Sequence, residues 1–273
     1  MSDRYAVIGN PVAHSRSPDI HAAFAQQTAQ DIQYLRVLAQ VGGFAAAVAS
    51  LRAEGARGAN VTVPFKEEAF RLANVLSVRA REAGAVNTLC FGPEGIVGDN
   101  TDGIGLVRDL TNNLHFGIAD KRVLLLGAGG AARGALGPLI EKTPVLLVLA
   151  NRTEARAREL VARFANTAPL QLESASFASL ARQRFDIVIN ATAASLAGEA
   201  PTLPMSAYAG CTLAYDLMYA DGDTPFMAVA RAQGVTVADG LGMLVEQAAE
   251  SFFLWRGMRP ATRPVLEAMR RAM

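Results

Sequence analysis

Short apolar runs and amphipathic stretches alternate along almost the whole chain. In the first half, residues 5–8, 34–38, 60–63 and 86–91 are short and rich in β-branched, aromatic and other apolar side chains, and each reads as a strand. Between them, residues 18–27, 42–53 and 66–73 carry amphipathic, helix-like patterns. The rhythm strengthens in the second half, with strands predicted at 122–127 (RVLLLG), 144–150 (PVLLVLA), 186–190 (DIVIN) and 212–217 (TLAYDL), and helices over 130–142, 154–165 and 225–233. Strands this continuously apolar, separated by helices, predict a parallel sheet covered on both faces, and right-handed crossovers then give a doubly wound α/β fold. The polar turn GDNTDG interrupts the pattern, marks a change of domain near Asp102 and Gly103, and leads into a helix over 104–114. Two further helical patterns, 242–255 and 263–272, are separated by Gly257 and Pro260.

Composition narrows the classes. The 273 residues suffice for two moderate domains, and 51% hydrophobic against 19% charged residues excludes wholesale disorder. Twenty-six basic against 25 acidic residues leave a net charge of +1, which gives no footprint for nucleic acid or an anionic membrane surface. The apolar runs fall far short of the ~20 residues of a membrane helix. The first residues are charged and lead into a strand rather than a secretory block. Cys90 and Cys211 cannot form a disulfide framework; lying in apolar runs, they read as buried free thiols of a cytoplasmic protein. His14, His21 and His115 lack ligand spacing, so no metal is expected.

The sharpest local signal is Gly127-Ala128-Gly129-Gly130-Ala131-Ala132, between the apolar strand and a helix. It fits the G-x-G-x-x-A fingerprint in which glycines let the backbone approach a pyrophosphate at a helix N-terminus. The next strand ends at Asn151-Arg152-Thr153, with Arg156 one helical turn beyond Arg152. A carboxylate here would take the ribose 2′-hydroxyl of NAD; two guanidiniums instead suit the 2′-phosphate of NADP, unless they are merely solvated helix-face arginines.

Four polar turns punctuate the first half. Ser15-Arg16-Ser17-Pro18 reads equally as a helix cap, with Ser17 at the N-cap, and as a carboxylate site. In Asn60-Val61-Thr62-Val63-Pro64-Phe65-Lys66, a lysine opens a helix where a cation is electrostatically misplaced, which points to chemistry rather than stability. Gly84-Ala85-Val86-Asn87-Thr88 and Asn100-Thr101-Asp102-Gly103 add an amide and a carboxylate, although Asp102 also suits a helix cap.

These motifs, with Tyr215-Asp216-Leu217-Met218-Tyr219 and Gly240-Leu241-Gly242-Met243-Leu244-Val245-Glu246-Gln247, run in order along essentially the whole chain and resemble the shikimate dehydrogenase family, which interconverts 3-dehydroshikimate and shikimate with NADP. The resemblance implies an N-terminal α/β substrate domain over 1–102, an inserted Rossmann-type NADP domain over 103–239, and C-terminal helices over 240–273 that return to the substrate domain. It implies Lys66 and Asp102 as the catalytic pair, Ser15 and Ser17 on the substrate carboxylate, and Thr62, Asn87, Asp102, Tyr219 and Gln247 on the ring oxygens. Its cofactor residues are Gly127, Ala128, Gly129, Gly130, Ala131, Asn151, Arg152, Thr153, Arg156, Thr192, Leu217, Gly240 and Met243. Met243 and Gln247 are one turn apart on a helix, so one face is expected to touch nicotinamide and substrate. Small molecules are the expected partners, without nucleic acid or membrane, in a monomer or homodimer. One departure stands out: Ser195 occupies a loop position where the family pattern usually has Gly, which predicts a stiffer or shifted loop and a changed cofactor affinity. A quinate-directed enzyme, or a sensor binding NADPH and a metabolite without turnover, are the competing readings.

Overall fold

The computed structural model describes residues 2–164 and 171–273. Its described chain forms two compact units, Met1–Gly105 with Leu244–Ala272, and Leu106–Met243.

The first unit contains β1 (Asp3–Gly9), α1 (Ser17–Thr28), β2 (Ile32–Leu38), α2 (Phe44–Ala53), β3 (Ala56–Val61), α3 (Lys66–Leu72), β4 (Val75–Leu76), α4 (Val78–Ala83), β5 (Thr88–Gly92), β6 (Gly95–Asp99) and the start of α5 (Asp102–Arg108). Its sheet order is β2-β1-β3-β5-β6-β4. The expected all-parallel sheet fails here. β5 runs antiparallel to both β3 and β6, because Gly92 and Gly95 close a tight hairpin with Gly95 at φ +123°. A two-residue connection can only reverse the chain. One face of the sheet packs Ala6, Ile8, Ala59 and Val61 under Phe44, Val48 and Phe65.

The second unit contains β7 (Arg122–Leu126), α6 (Gly130–Ile140), β8 (Leu146–Ala150), α7 (Glu154–Ala162), β9 (Gln171–Ala175), β10 (Ile187–Asn190), β11 (Leu213–Asp216), α8 (Pro225–Ala232), β12 (Thr236–Asp239) and the start of α9 (Leu241–Arg256). All its pairings are parallel, in the order β12-β11-β10-β7-β8-β9. This is the doubly wound arrangement, with its switch point between β7 and β10. Side chains alternate as the pleat requires: Val123 and Leu125 enter one core with Leu136 and Leu139, while Leu124 and Leu126 enter another with Phe185 and Phe226.

The short or polar strands β4, β6, β9 and β12 escaped the sequence pattern. The helix read over 104–114 is α5 followed by a π-helical turn at Asp109–Asn113. Ala165, the expected end of the helix that forms α7, lies outside the described residues.

The remaining helices cover the other face of the first sheet. Ile20 and Phe24 of α1 pack against Val245, Ala248 and Phe252 of α9 and Val265 of α10 (Thr262–Arg271). Trp255 stacks on Tyr5 at 4.6 Å and donates to the Leu89 carbonyl at 3.0 Å, crossing β3 at Gly58, where a Cβ would lie 2.5 Å from the indole nitrogen. The thiols of Cys90 and Cys211 are free but half-buried rather than buried, and partial burial pushes both up to about 11.

His21 of α1 is fully buried, stacked on Tyr34 at 4.3 Å, and burial pushes it down to about 3. A depressed folded value favours the native state above the unfolded value of about 6.5, and that stability is lost as pH falls through the interval towards 3. His21→Phe should therefore remove about 2 kcal/mol of the stability difference between pH 7 and pH 5, read from urea unfolding at each pH. An unchanged difference would show that His21 is not its source.

Candidate active site

In the first unit the polar turns converge. Lys66, the first residue of α3, donates from Nζ to Asp102 Oδ2 at 2.6 Å; their side chains are 16% and 7% exposed. The lysine is held by its main chain, whose carbonyl accepts from the Val86 N–H at 2.9 Å. Asp102 opens α5, and its N–H donates to Asn100 Oδ1 at 3.1 Å. Its second oxygen accepts from Asn87 Nδ2 at 2.9 Å. A largely buried carboxylate thus has a cation on one oxygen and an amide on the other, which desolvation demands. An ammonium has three N–H donors, so Lys66 can serve Asp102 and a ligand together.

A buried polar network supports the pair. Asn87 lies 3.2 Å from Gln247 Oε1, and its own Oδ1 accepts from the Thr101 N–H at 2.8 Å and the Thr88 hydroxyl at 2.9 Å. Asn60 donates to Ser251 Oγ at 3.0 Å and accepts from the Tyr34 hydroxyl at 2.7 Å. Burial lifts the Tyr34 phenol well above its ordinary range, so it remains a donor. The turn leading to Asp102 is anchored by Asp99, which takes both Arg79 Nε at 2.8 Å and Arg79 Nη2 at 2.7 Å.

Ser17 is not the N-cap. It is the first residue of α1, Arg16 holds the cap position, and Ser15 Oγ accepts from the Ser17 N–H at 3.3 Å. The Ser15 and Ser17 hydroxyls lie 3.2 Å apart, and Arg36 of β2 clamps the Ser15 carbonyl at 2.7 and 3.0 Å. Thr62 is half-buried with its methyl against Gly9.

In the second unit Gly127 ends β7 at φ +104°, where a Cβ would meet the Ala191 carbonyl oxygen at 2.9 Å. Only glycine suits both the left-handed backbone and this approach across the switch point. Ala128 is buried, Gly129 is exposed with open space at its Cβ position, and Gly130 and Ala131 are half-buried in the first turn of α6, which has no side-chain cap. These features form a cradle for a pyrophosphate. At the end of β8, Asn151 Nδ2 donates to the Thr153 carbonyl at 2.9 Å. Arg152 and Arg156 are exposed, and neither guanidinium has a partner among the described residues, whereas Arg158 pairs with Glu154 at 2.7 Å. No carboxylate stands between Ala150 and Thr153. The donor set therefore fits NADP.

Asp216, fully buried at the end of β11, collects four donors: Asn190 Nδ2 at 3.1 Å, Ser195 Oγ at 2.7 Å, the Met218 N–H at 3.1 Å and Thr224 Oγ1 at 2.6 Å. Burial still holds its carboxyl above the ordinary range. Thr192 donates to Asn190 Oδ1 at 2.7 Å, and the Leu217 N–H to the Asn190 carbonyl at 2.9 Å. Gly240 is buried against the Leu217 main chain, which a Cβ would overlap. Tyr219 is half-buried in the turn after β11, and Met243 is 7% exposed in the core of this unit.

Family models match three segments: a shikimate dehydrogenase substrate binding domain over residues 7–89, a shikimate/quinate 5-dehydrogenase over 109–198, and a shikimate 5′-dehydrogenase C-terminal domain over 240–270. A relative from Aromatoleum aromaticum, named shikimate dehydrogenase (NADP(+)), is 60% identical over 99% of this chain and 98% of its own. The chain belongs to the shikimate dehydrogenase family. A second such relative, from Nitrosospira multiformis, is 57% identical over 100% of this chain and 99% of its own. The solved shikimate 5-dehydrogenase of Thermus thermophilus, in complex with NADP(H) and shikimate, is 32% identical with a TM-score of 0.87, covering 99% and 100% of the two chains. A 5-ketofructose reductase of Gluconobacter shares the architecture at 26% identity and a TM-score of 0.84, over 100% and 99%.

Sequence reading missed Tyr34 and Ser251 as parts of the site, and placed Asn60 and Thr101 in the polar turns without a role of their own. Ser251 lies four residues beyond Gln247, a spacing that could have flagged it. Asn87→Ala would leave the Thr101 N–H and one Asp102 oxygen without their buried partner. It should cost about 2–4 kcal/mol in urea unfolding, and a loss below about 1 kcal/mol would show that the network does not depend on Asn87.

Proposed function

We propose that this protein is an NADP-dependent oxidoreductase reversibly reducing 3-dehydroshikimate to shikimate in aromatic amino-acid biosynthesis. The observation that carries the reading is the Lys66–Asp102 pair at 2.6 Å, largely shielded and tied into the amide network of Asn87 and Gln247.

NADPH, when bound, supplies the hydride. As the ketone oxygen gains charge, Lys66 delivers a proton to it; in the oxidation direction Lys66, regenerated as the amine, takes the proton of the alcohol. Asp102 keeps the ammonium oriented and compensated throughout. Ser15 and Ser17 receive the substrate carboxylate through their hydroxyls. Thr62, Asn87, Gln247 and Tyr219 bind the ring oxygens. Such a set rejects analogues lacking a hydroxyl, since each omission leaves a desolvated partner unpaired. Gly127, Ala128, Gly129, Gly130 and Ala131 cradle the pyrophosphate, Arg152 and Arg156 with Asn151 and Thr153 hold the 2′-phosphate, and Thr192, Leu217, Gly240 and Met243 border the nicotinamide. Two free cysteines suit a reducing cytoplasm.

The deciding assay follows reduced-nicotinamide absorbance with shikimate and quinate, each offered NADP and NAD; preference for shikimate with NADP is expected, and absence of turnover with either acid overturns the reading. Lys66→Ala should lower kcat by about 100-fold or more with NADPH affinity unchanged, and unaltered turnover would remove Lys66 from the reaction. Replacing Arg152 and Arg156 together by Ala should raise the KM for NADP by about 10- to 100-fold while leaving that for NAD within about twofold, since each guanidinium–phosphate contact is charge-assisted. Equal effects on both cofactors would show that the two arginines do not read the 2′-phosphate.

A further inference from the structure

The segment after β10 meets a buried carboxylate, Asp216, through Ser195. Ala194–Ala197 form a short 3₁₀ turn, in which the Gly198 N–H donates to the Ser195 carbonyl at 3.2 Å and the Glu199 N–H to the Ala194 carbonyl at 3.0 Å. At its start, the Ala194 N–H lies 3.4 Å from Thr192 Oγ1. Among the described residues the Ser195 hydroxyl also fastens this turn to the sheet, 2.7 Å from Asp216 Oδ2 and 3.5 Å from Asn190 Nδ2. The same carboxylate orders the Met218 turn and, through Thr224, the N-cap of α8, where Thr224 Oγ1 accepts from the Met227 N–H at 3.3 Å. Asp216 therefore sets three strand-end segments at once.

The anchored segment is contiguous with the dinucleotide turn. Ala191 and Thr192 abut Gly127, whose absent Cβ would lie 2.9 Å from the Ala191 oxygen and 3.3 Å from the Thr192 methyl. Movement of 192–198 would displace the wall against which the turn at Gly127 is built. A hydrogen bond to a buried carboxylate is among the stronger neutral-donor bonds, and its loss leaves Asp216 with three donors instead of four.

We propose that Ser195 is a positioning residue: its bond to Asp216 latches the turn 194–197 and thereby prepares the nucleotide side of the site before the cofactor arrives. This rests on the reading of that side as the NADP site. Ser195 touches no reacting atom, so its contribution belongs in cofactor affinity and not in proton or hydride transfer.

The test compares the ligand-free protein and its binding of NADP in the native chain, Ser195→Ala and Ser195→Thr. Hydrogen exchange at the Gly198 and Glu199 amides should quicken about tenfold in Ser195→Ala, because their turn opens more often once the anchor is gone. The Kd for NADP, by calorimetry, and its KM should rise about three- to tenfold, while kcat and the KM for shikimate stay within about twofold. Ser195→Thr, which retains the hydroxyl, should restore both readouts towards the native values. Unchanged exchange, an unchanged NADP Kd, or a fall in kcat alone would each overturn the latch. A native protein that binds NADP but fails to oxidise shikimate would instead overturn the proposed reaction, leaving exchange and Kd to judge Ser195.

Discussion

The first unit depends on a charge that cannot stand alone. Asp102 has a side chain only 7% exposed, so its ionised form needs compensation, and Lys66 at 2.6 Å provides it. Removing one partner from such a pair leaves the other desolvated and unopposed, which is why the pair's surroundings are so fully hydrogen-bonded. Asn87 holds the second Asp102 oxygen, Thr101 and Thr88 hold Asn87, and Ser251 ties that cluster to Asn60 and Tyr34. Each member restricts the next, and the ammonium is left in one place with donors to spare. A lysine at the start of a helix is unfavourable for α3 by itself. The carboxylate opposite reverses that penalty.

The second unit handles negative charge the opposite way. Among the described residues Asp216 has no cation; four neutral donors share the task, and its carboxyl remains above the ordinary range. At the end of β8 and the start of α6 the arrangement is again different: among the described residues the exposed guanidiniums of Arg152 and Arg156 have no partner, and α6 has no side-chain cap. Charge is compensated where it is buried and left open where it is exposed.

Much of this was legible in the residues. The apolar strands of the second unit stood out because both faces are covered, and the glycine turn stood out because Gly127 has neither a normal backbone angle nor room for a side chain. Lys66 was conspicuous for its misplaced charge. What was hidden is instructive: β5 and β6 turn back through Gly92 and Gly95, a local hairpin inside a rhythm of crossovers. Ser17 resembled a cap because it precedes Pro18, yet Ser15 supplies the accepting oxygen. Ser251, Asn60 and Tyr34 sit far apart along the chain, and although Ser251 lies one turn beyond Gln247 and Asn60 opens a polar turn, no local pattern joins them to Tyr34. Ser195 was noticed as a departure, but its partner lies 21 residues away.

Much of the cover over one face of the first sheet comes from α9 and α10, which follow the strands of the second unit along the chain. Ile20 and Phe24 pack on Val245, Ala248 and Phe252, Tyr5 stacks on Trp255, and the Leu89 carbonyl takes its indole donor from Trp255, all residues beyond Leu244. During synthesis this sheet therefore waits, half-dressed, while the strands of the second unit are translated and free to fold behind it. Nascent chains stalled before α9 would present an apolar sheet surface of the kind that chaperones engage, whereas a chain halted after β12 already carries every strand of the parallel sheet.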